Sequence, residues 1–420
     1  MQVFDRATLP NGLTIVGERM PYLRSISLGV WVRNGSADEA PEENGYSHFV
    51  EHMLFKGTAH RSARQIAEEM DFLGGQMNAF TSKELTCFYV KAVSTRLQEA
   101  LGLLSDLVLN PAFPQGELEK EKGVILEEIA MGEDTPEDLA QDQLALAMFG
   151  GHSLGRSILG PAEGIRAVSR EALLHFMQAR YKPQNAVFTL AGNYDWDQAL
   201  HLLSQAFAPW GGAYQYRNYP AVEFAPKTLF RRKELEQTQV CLAFPSLPMG
   251  DEANFTLLIL NNLLGGSMSS RLFQRIREEA GLAYSVYSYP SSHARTGIET
   301  LYAGTSPKTA QRVLNLMGEE LKRLVEDGIP KEEFEKSREQ IRGSYLLSME
   351  SGSARMQALG RGQLLLGRLR GEEEYLQSLD AASLEEAQAL CQKIFLSPFG
   401  ASVVGPEDLD FSALSEALHG

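Results

Sequence analysis

The stretch GYSHFVEHMLFKGT, residues 45–58, places His48, Glu51 and His52 inside five positions of a chain that has only 8 histidines. On a helix, His48 and His52 stand at i and i+4, so their rings share one face, one turn apart. That spacing lets two imidazoles bind one zinc. Glu51 adjoins His52 in sequence and lies one turn from His48. A carboxylate there could reach a zinc-bound water without being a ligand, take its proton and later pass it to a leaving amine. A zinc centre that does chemistry usually has three protein ligands and one open position. GVILEEIAMGED, residues 123–134, supplies a third candidate, Glu128, on a predicted helix with an apolar stripe at Val124, Ile125 and Ile129. Glu121, seven residues earlier, shares the Glu128 face and could orient a histidine from outside the ligand set. By spacing alone, the same histidines and glutamates also suit solvated helix faces.

The elements that must position these residues can be read from pattern. FDRATL and LTIVGERM flank Asn11-Gly12, a hairpin signal, and SISLGVWVRNG reads as a third strand. Helical periodicity starts near Tyr46 and returns in ARQIAEEMDFLG, which stops at Gly74-Gly75. QMNAF and ELTCFYVKAV read as paired strands. Two long helical patterns follow, then the strand NAVFTLAG and the helix DWDQALHLLSQAF. Residues 208–226, APWGGAYQYRNYPAVEFAP, have no period and read as a linker. Beyond them the order recurs: a strand at QTQVCLAF, helices at ANFTLLILNNLLGG and SSRLFQRIREEAG, strands at AYSVYSYP and GIETLYAG, and two long helices. FPQGELEKEKGVI aligns with IPKEEFEKSREQI, Pro114 matching Pro330 at an offset of 216. The expectation is an α+β fold, two copies of one helix-covered sheet facing each other as a clamshell. The expected domains are 1–207 and 227–420, joined by the linker 208–226. The offset maps Glu121 onto Ser337 and Glu128 onto Ser344, so the scaffold recurs while the candidate ligands occur once.

Composition narrows the classes. A chain of 420 residues exceeds the about 250–300 that one core fills. A net charge of −15 argues against a nucleic-acid binder, which needs clustered Lys and Arg. No run of about 18 apolar residues predicts a membrane span, and the N-terminus has no secretory pattern, so a cytoplasmic location is expected. Cys87, Cys241 and Cys391 are scattered, which suits buried thiols in a reducing compartment. The acidic run EDTPEDLAQD, residues 133–142, suggests a preference for basic residues in a substrate, or a solvated loop and helix cap.

The motif His48-Phe49-Val50-Glu51-His52, followed 76 residues after His52 by Glu128, resembles the inverted zinc motif of the pitrilysin/insulinase metallopeptidases, the inverzincins. The processing-peptidase-like branch, with the mitochondrial processing peptidase and its bacterial homologues, is the most similar. The resemblance spans nearly the whole chain, through LPNGLTIV, GGQMNAFTSKELTCFY, LGRSILGP, YKPQNAVFTLAGN and RIREEAGLAYSVYSY. It implies one zinc per chain, held by His48, His52 and Glu128, with Glu51 as general base and Glu121 as a further carboxylate near the metal. It implies that Arg277 and Tyr284 face the zinc across a chamber and hold substrate near the scissile carbonyl. It implies that Asn78, Ala79 and Phe80 form an edge strand that pairs with an extended substrate. A zinc endopeptidase acting on peptides or unfolded polypeptide follows, self-sufficient because both the zinc motif and the Arg/Tyr pair are present, and homodimeric. The alternative is a non-catalytic structural or peptide-binding subunit of the same fold, a class that typically loses part of the motif; here all four positions are intact.

Overall fold

The hairpin at Asn11-Gly12 opens a sheet. In the computed structural model, which describes residues 4–214 and 222–419, β1 (Asp5–Thr8) and β2 (Thr14–Arg19) pair antiparallel around Gly12, whose φ of 94° suits glycine. β3 (Ser25–Val32), β4 (Gln76–Thr81), β5 (Thr86–Val93) and β6 (Ala186–Gly192) complete six strands in the order β1-β2-β6-β3-β5-β4. β2 and β6 run parallel, and β4 closes the sheet as an edge strand paired to β5. A second sheet holds β7 (Thr228–Arg232), β8 (Thr238–Ser246), β9 (Ala283–Ser292), β10 (Gly297–Thr305) and β11 (Gly400–Gly405), in the order β7-β11-β8-β10-β9. This order repeats β2-β6-β3-β5-β4 place for place, and β7 and β11 again form the parallel pair. Two α+β copies are therefore present, the first with β1 added. Part of the expected linker, residues 215–221, lies outside the described residues.

Alternation along the strands decides what each sheet face covers. Leu28 and Val30 of β3 and Phe88 and Val90 of β5 are buried against α1 (Tyr46–Leu54), α2 (Ala63–Leu73) and α3 (Leu97–Leu109), while Trp31 and Cys87 point to the other face. That other face is covered by the helix Gly352–Arg361, through Met356 and Leu359. Gly360 makes the contact possible, because a Cβ there would stand 2.0 Å from Trp31 Cε2. Arg355 of the same helix pairs with buried Glu18 of β2. In the second copy, Val240, Leu242, Phe244, Leu301 and Ala303 pack on helices Asn254–Leu264, Ala310–Glu326 and Leu384–Phe395. The opposite face of that sheet receives Tyr287, which donates to Glu137, and Tyr289, which donates to Gln141.

Glu137 and Gln141 come from the first half of the sequence. α4 (Gln115–Asp134) carries the chain out of one compact unit, and α5 (Pro136–Phe149) belongs to the other. Met131–Gly155 is thus part of the second unit and Leu346–Gly371 part of the first. The compact units are therefore not the contiguous stretches 1–207 and 227–420: each sheet has a second apolar face, and a helix from the other half of the sequence covers it.

Candidate metal centre

The helix that carries the histidine pair is fixed at its start by a buried acid. The Glu39 carboxylate accepts the N–H groups of Gly45 at 2.9 Å and Ser47 at 2.7 Å, and the amide of Asn44 at 3.2 Å. Burial raises the Glu39 pKa and these hydrogen bonds oppose the rise. A carboxylate here also meets the positive end of the α1 dipole. Gly45 has a φ of 99°, and a Cβ on it would lie 2.6 Å from the Leu159 carbonyl, so glycine is needed for both conformation and space. Phe49, Val50, Met53 and Leu54 are fully buried in the first core. That packing turns His48, Glu51 and His52 toward α4.

α4 answers with Glu121 and Glu128, spaced two turns apart as their seven-residue separation requires. Glu128 Oε2 lies 3.7 Å from His48 Nε2 and 3.6 Å from His52 Nε2. One ligand atom from each of the three residues falls within 4.8 Å of the others, the one such group among the described residues. Donors around one tetrahedral zinc stand about 3.4 Å apart, given metal–ligand distances near about 2.1 Å. The set of two imidazoles and a carboxylate therefore fits zinc. Its protonation fits as well: burial first, and His52 second, pushes His48 down to about 4, so the ring is neutral near pH 7 as a ligand must be. Glu121, 5% exposed, places Oε2 3.0 Å from His52 Nδ1, which fixes that ring with Nε2 toward the candidate site. His48 Nδ1 is buried without a hydrogen-bond partner.

Glu51 stands beside this set. Burial raises its pKa, which suits a group that takes up and releases a proton. Its Oε2 accepts the Thr81 hydroxyl at 2.6 Å. Thr81 ends β4, whose alternation puts Met77 and Ala79 against the core under α1 and Phe80 on the far face, edge-on to Trp31 at 5.8 Å. Asn78 is exposed, and its Oδ1 accepts the Ala79 N–H at 2.8 Å.

His48, Glu51, His52, Glu121 and Glu128 thus meet in the first unit. Arg277 and Tyr284 lie in the second unit and meet each other. Arg277 sits in a π-helical turn, Phe273–Glu279, with its guanidinium 4.5 Å from the Tyr284 ring centre and a 2.8 Å hydrogen bond to the Tyr284 carbonyl. The Tyr284 side chain is left 75% exposed. At the positions equivalent to Glu121 and Glu128, the second copy has Ser337, which is buried, and Ser344.

Three residues around the site escaped the reading of the sequence. Thr81 acts across 30 residues of chain and Glu39 from the extended residue just after a 3₁₀ turn, and no local pattern marks them. Lys56 could have been found: it stands four residues after His52, and its Nζ lies 2.7 Å from Glu121 Oε1.

Residues 14–162 match the family model described as insulinase, peptidase family M16, and residues 167–341 match the one described as peptidase M16 inactive domain. An uncharacterized zinc protease of Bacillus subtilis, YmxG, is 43% identical over 96% of this chain and 98% of its own length. An uncharacterized zinc protease of Mycobacterium leprae is 38% identical over 96% of this chain and 91% of its own. Among solved structures, a peptidase M16 inactive domain from Pseudomonas fluorescens superposes with a TM-score of 0.91 at 20% identity, covering 97% of this chain and 99% of that one. A protease from Helicobacter pylori gives 0.88 at 20% identity, over 97% and 100%. At that identity the two structures speak for the fold alone. No helix among the described residues is long and apolar enough to cross a membrane.

Proposed function

Because the chain belongs to the insulinase-type M16 peptidase family, we propose that it is a zinc-dependent endopeptidase that hydrolyses peptides or unfolded segments. The observation that carries this reading is the His48, His52 and Glu128 donor set with Glu51 beside it. Those three residues would hold the zinc. When bound, zinc supplies Lewis acidity and brings the pKa of a water toward neutrality. Glu51 takes the attacking water's proton on Oε1, since Oε2 accepts from Thr81, and delivers it to the leaving amine. Glu121 holds the His52 tautomer through Nδ1. The unpaired side of β4 at Asn78–Phe80 offers main-chain groups to an extended substrate, and Arg277 and Tyr284 offer it hydrogen-bond donors. The reading includes a homodimer, checked by light scattering.

Glu51→Gln tests the reading. Zinc content and cleavage of a quenched peptide are measured together on wild type and variant. A peptidase keeps its zinc and loses turnover in the variant. Wild type that binds no zinc and cleaves nothing after zinc is restored, or a variant that cleaves as wild type does, refutes it and leaves the structural or peptide-binding subunit.

A further inference from the structure

The spacing that makes the histidine pair does not stop at His52. His48, His52 and Lys56 are separated by four residues each, and Lys56 continues the stripe where α1 ends, its N–H donating to the Met53 carbonyl at 3.1 Å. α4 faces this stripe with two carboxylates. Glu128 meets the imidazoles at 3.7 and 3.6 Å, and Glu121 bridges His52 at 3.0 Å and Lys56 at 2.7 Å, one oxygen to each. Glu121 is 5% exposed and Lys56 30%. A carboxylate that deep needs a cation and a full set of donors, and Lys56 supplies both to the oxygen that His52 does not use.

We propose that Lys56 is a positioning residue of the metal centre: it pins Glu121 Oε1, so that Oε2 stays on His52 Nδ1 and the His52 ring is held with Nε2 ready for the metal. The inference rests on the zinc reading above. A plainer role is available, because a cation at a helix C-terminus stabilises the helix wherever its side chain points. The two roles differ in one respect. Positioning acts through Glu121, and helix stabilisation does not.

The test is zinc affinity, measured on the full chain by competition with a chromophoric chelator, with zinc alone as the probe. The proteins are wild type, Lys56→Met, Lys56→Arg, Glu121→Gln and the Lys56→Met/Glu121→Gln double variant. Partners outside the ligand set typically contribute about 10–100-fold to metal affinity. Lys56→Met is expected to weaken zinc by about tenfold or more, Lys56→Arg to recover most of that, and the double variant to bind as Glu121→Gln does. Wild type that binds zinc together with Lys56→Met within twofold of it overturns the inference while the peptidase reading stands. A loss in Lys56→Met that recurs in full on the Glu121→Gln background, tracking a lower melting temperature of the metal-free protein, assigns Lys56 to helix stability and overturns it too. Wild type that binds no zinc overturns both.

Discussion

Replacing Thr81 with valine removes one donor and keeps the side-chain shape. In the structure that donor lies 2.6 Å from Glu51 Oε2 and touches neither histidine. A hydrogen bond to a charged acceptor contributes about 1.5–3 kcal/mol. Glu51 is partly exposed, so water replaces some of the lost interaction and the lower end, about 1.5–2 kcal/mol, applies. A tenfold rate change corresponds to about 1.4 kcal/mol, so kcat/KM should fall by about 10–30-fold. Zinc content should not change, because the Glu51 carboxylate is not in the ligand set. Thr81→Ser retains the hydroxyl and should recover most of the rate. The assay is cleavage of a quenched peptide at fixed, measured zinc occupancy. Thr81→Val cleaving within twofold of wild type at full occupancy would show that Glu51 does not depend on this hydrogen bond. A proportional loss of zinc would show that β4 acts on the ligands instead.

Glu39→Ala leaves the Gly45 and Ser47 N–H groups buried without acceptors, which should cost about 2–4 kcal/mol of stability; denaturant unfolding of the metal-free protein measures it. Gly360→Ala drives a Cβ to within 2.0 Å of Trp31 Cε2, and overpacking of this kind should cost about 1–3 kcal/mol of stability, read by denaturant unfolding, with near-ultraviolet circular dichroism reporting the displaced tryptophan. Asp106 tests pH linkage. Burial alone would raise its pKa, but hydrogen bonds from Thr58, His60, Arg61 and Asn110 prevail and hold it at about 2, below the ordinary 3.8. A depressed carboxylate contributes stability that is present above its unfolded pKa and lost as pH falls through the folded one. The gap in denaturant midpoint between wild type and Asp106→Asn should therefore be full above about pH 5 and shrink steadily toward pH 2; a gap independent of pH would contradict the assignment.

How much of this was legible depends on how far apart the cooperating residues lie. The pairing of α1 with α4 was legible because both helices carry their site residues at helical spacings, four and seven. The sheet repeat was legible because FPQGELEKEKGVI and IPKEEFEKSREQI kept their likeness while Glu121 and Glu128 gave way to Ser337 and Ser344. The Thr81–Glu51 contact was not, since a threonine at the end of a strand has no pattern that points to a helix 30 residues away. The acidic run at 133–142 suits, by sequence, either charge for a basic substrate or a solvated loop and helix cap. In the structure Glu133 pairs with Arg231 at 3.3 Å and Glu137 accepts from Tyr287 at 2.5 Å, so part of that charge serves contacts inside the second unit.

The crossing of α4 out of its own unit decides what cutting the chain would do. The offset of 216 carries Met131–Gly155 onto residues 347–371, nearly the same segment as Leu346–Gly371, which crosses the other way. Equivalent pieces are thus exchanged reciprocally between two like copies inside one polypeptide, the arrangement that domain swapping produces between separate chains. Scission between 208 and 226 would therefore not release two autonomous halves. Each fragment would carry the cover for the other's sheet and lack its own, leaving Trp31 and its neighbours bare, and the two should gain native structure only on being mixed.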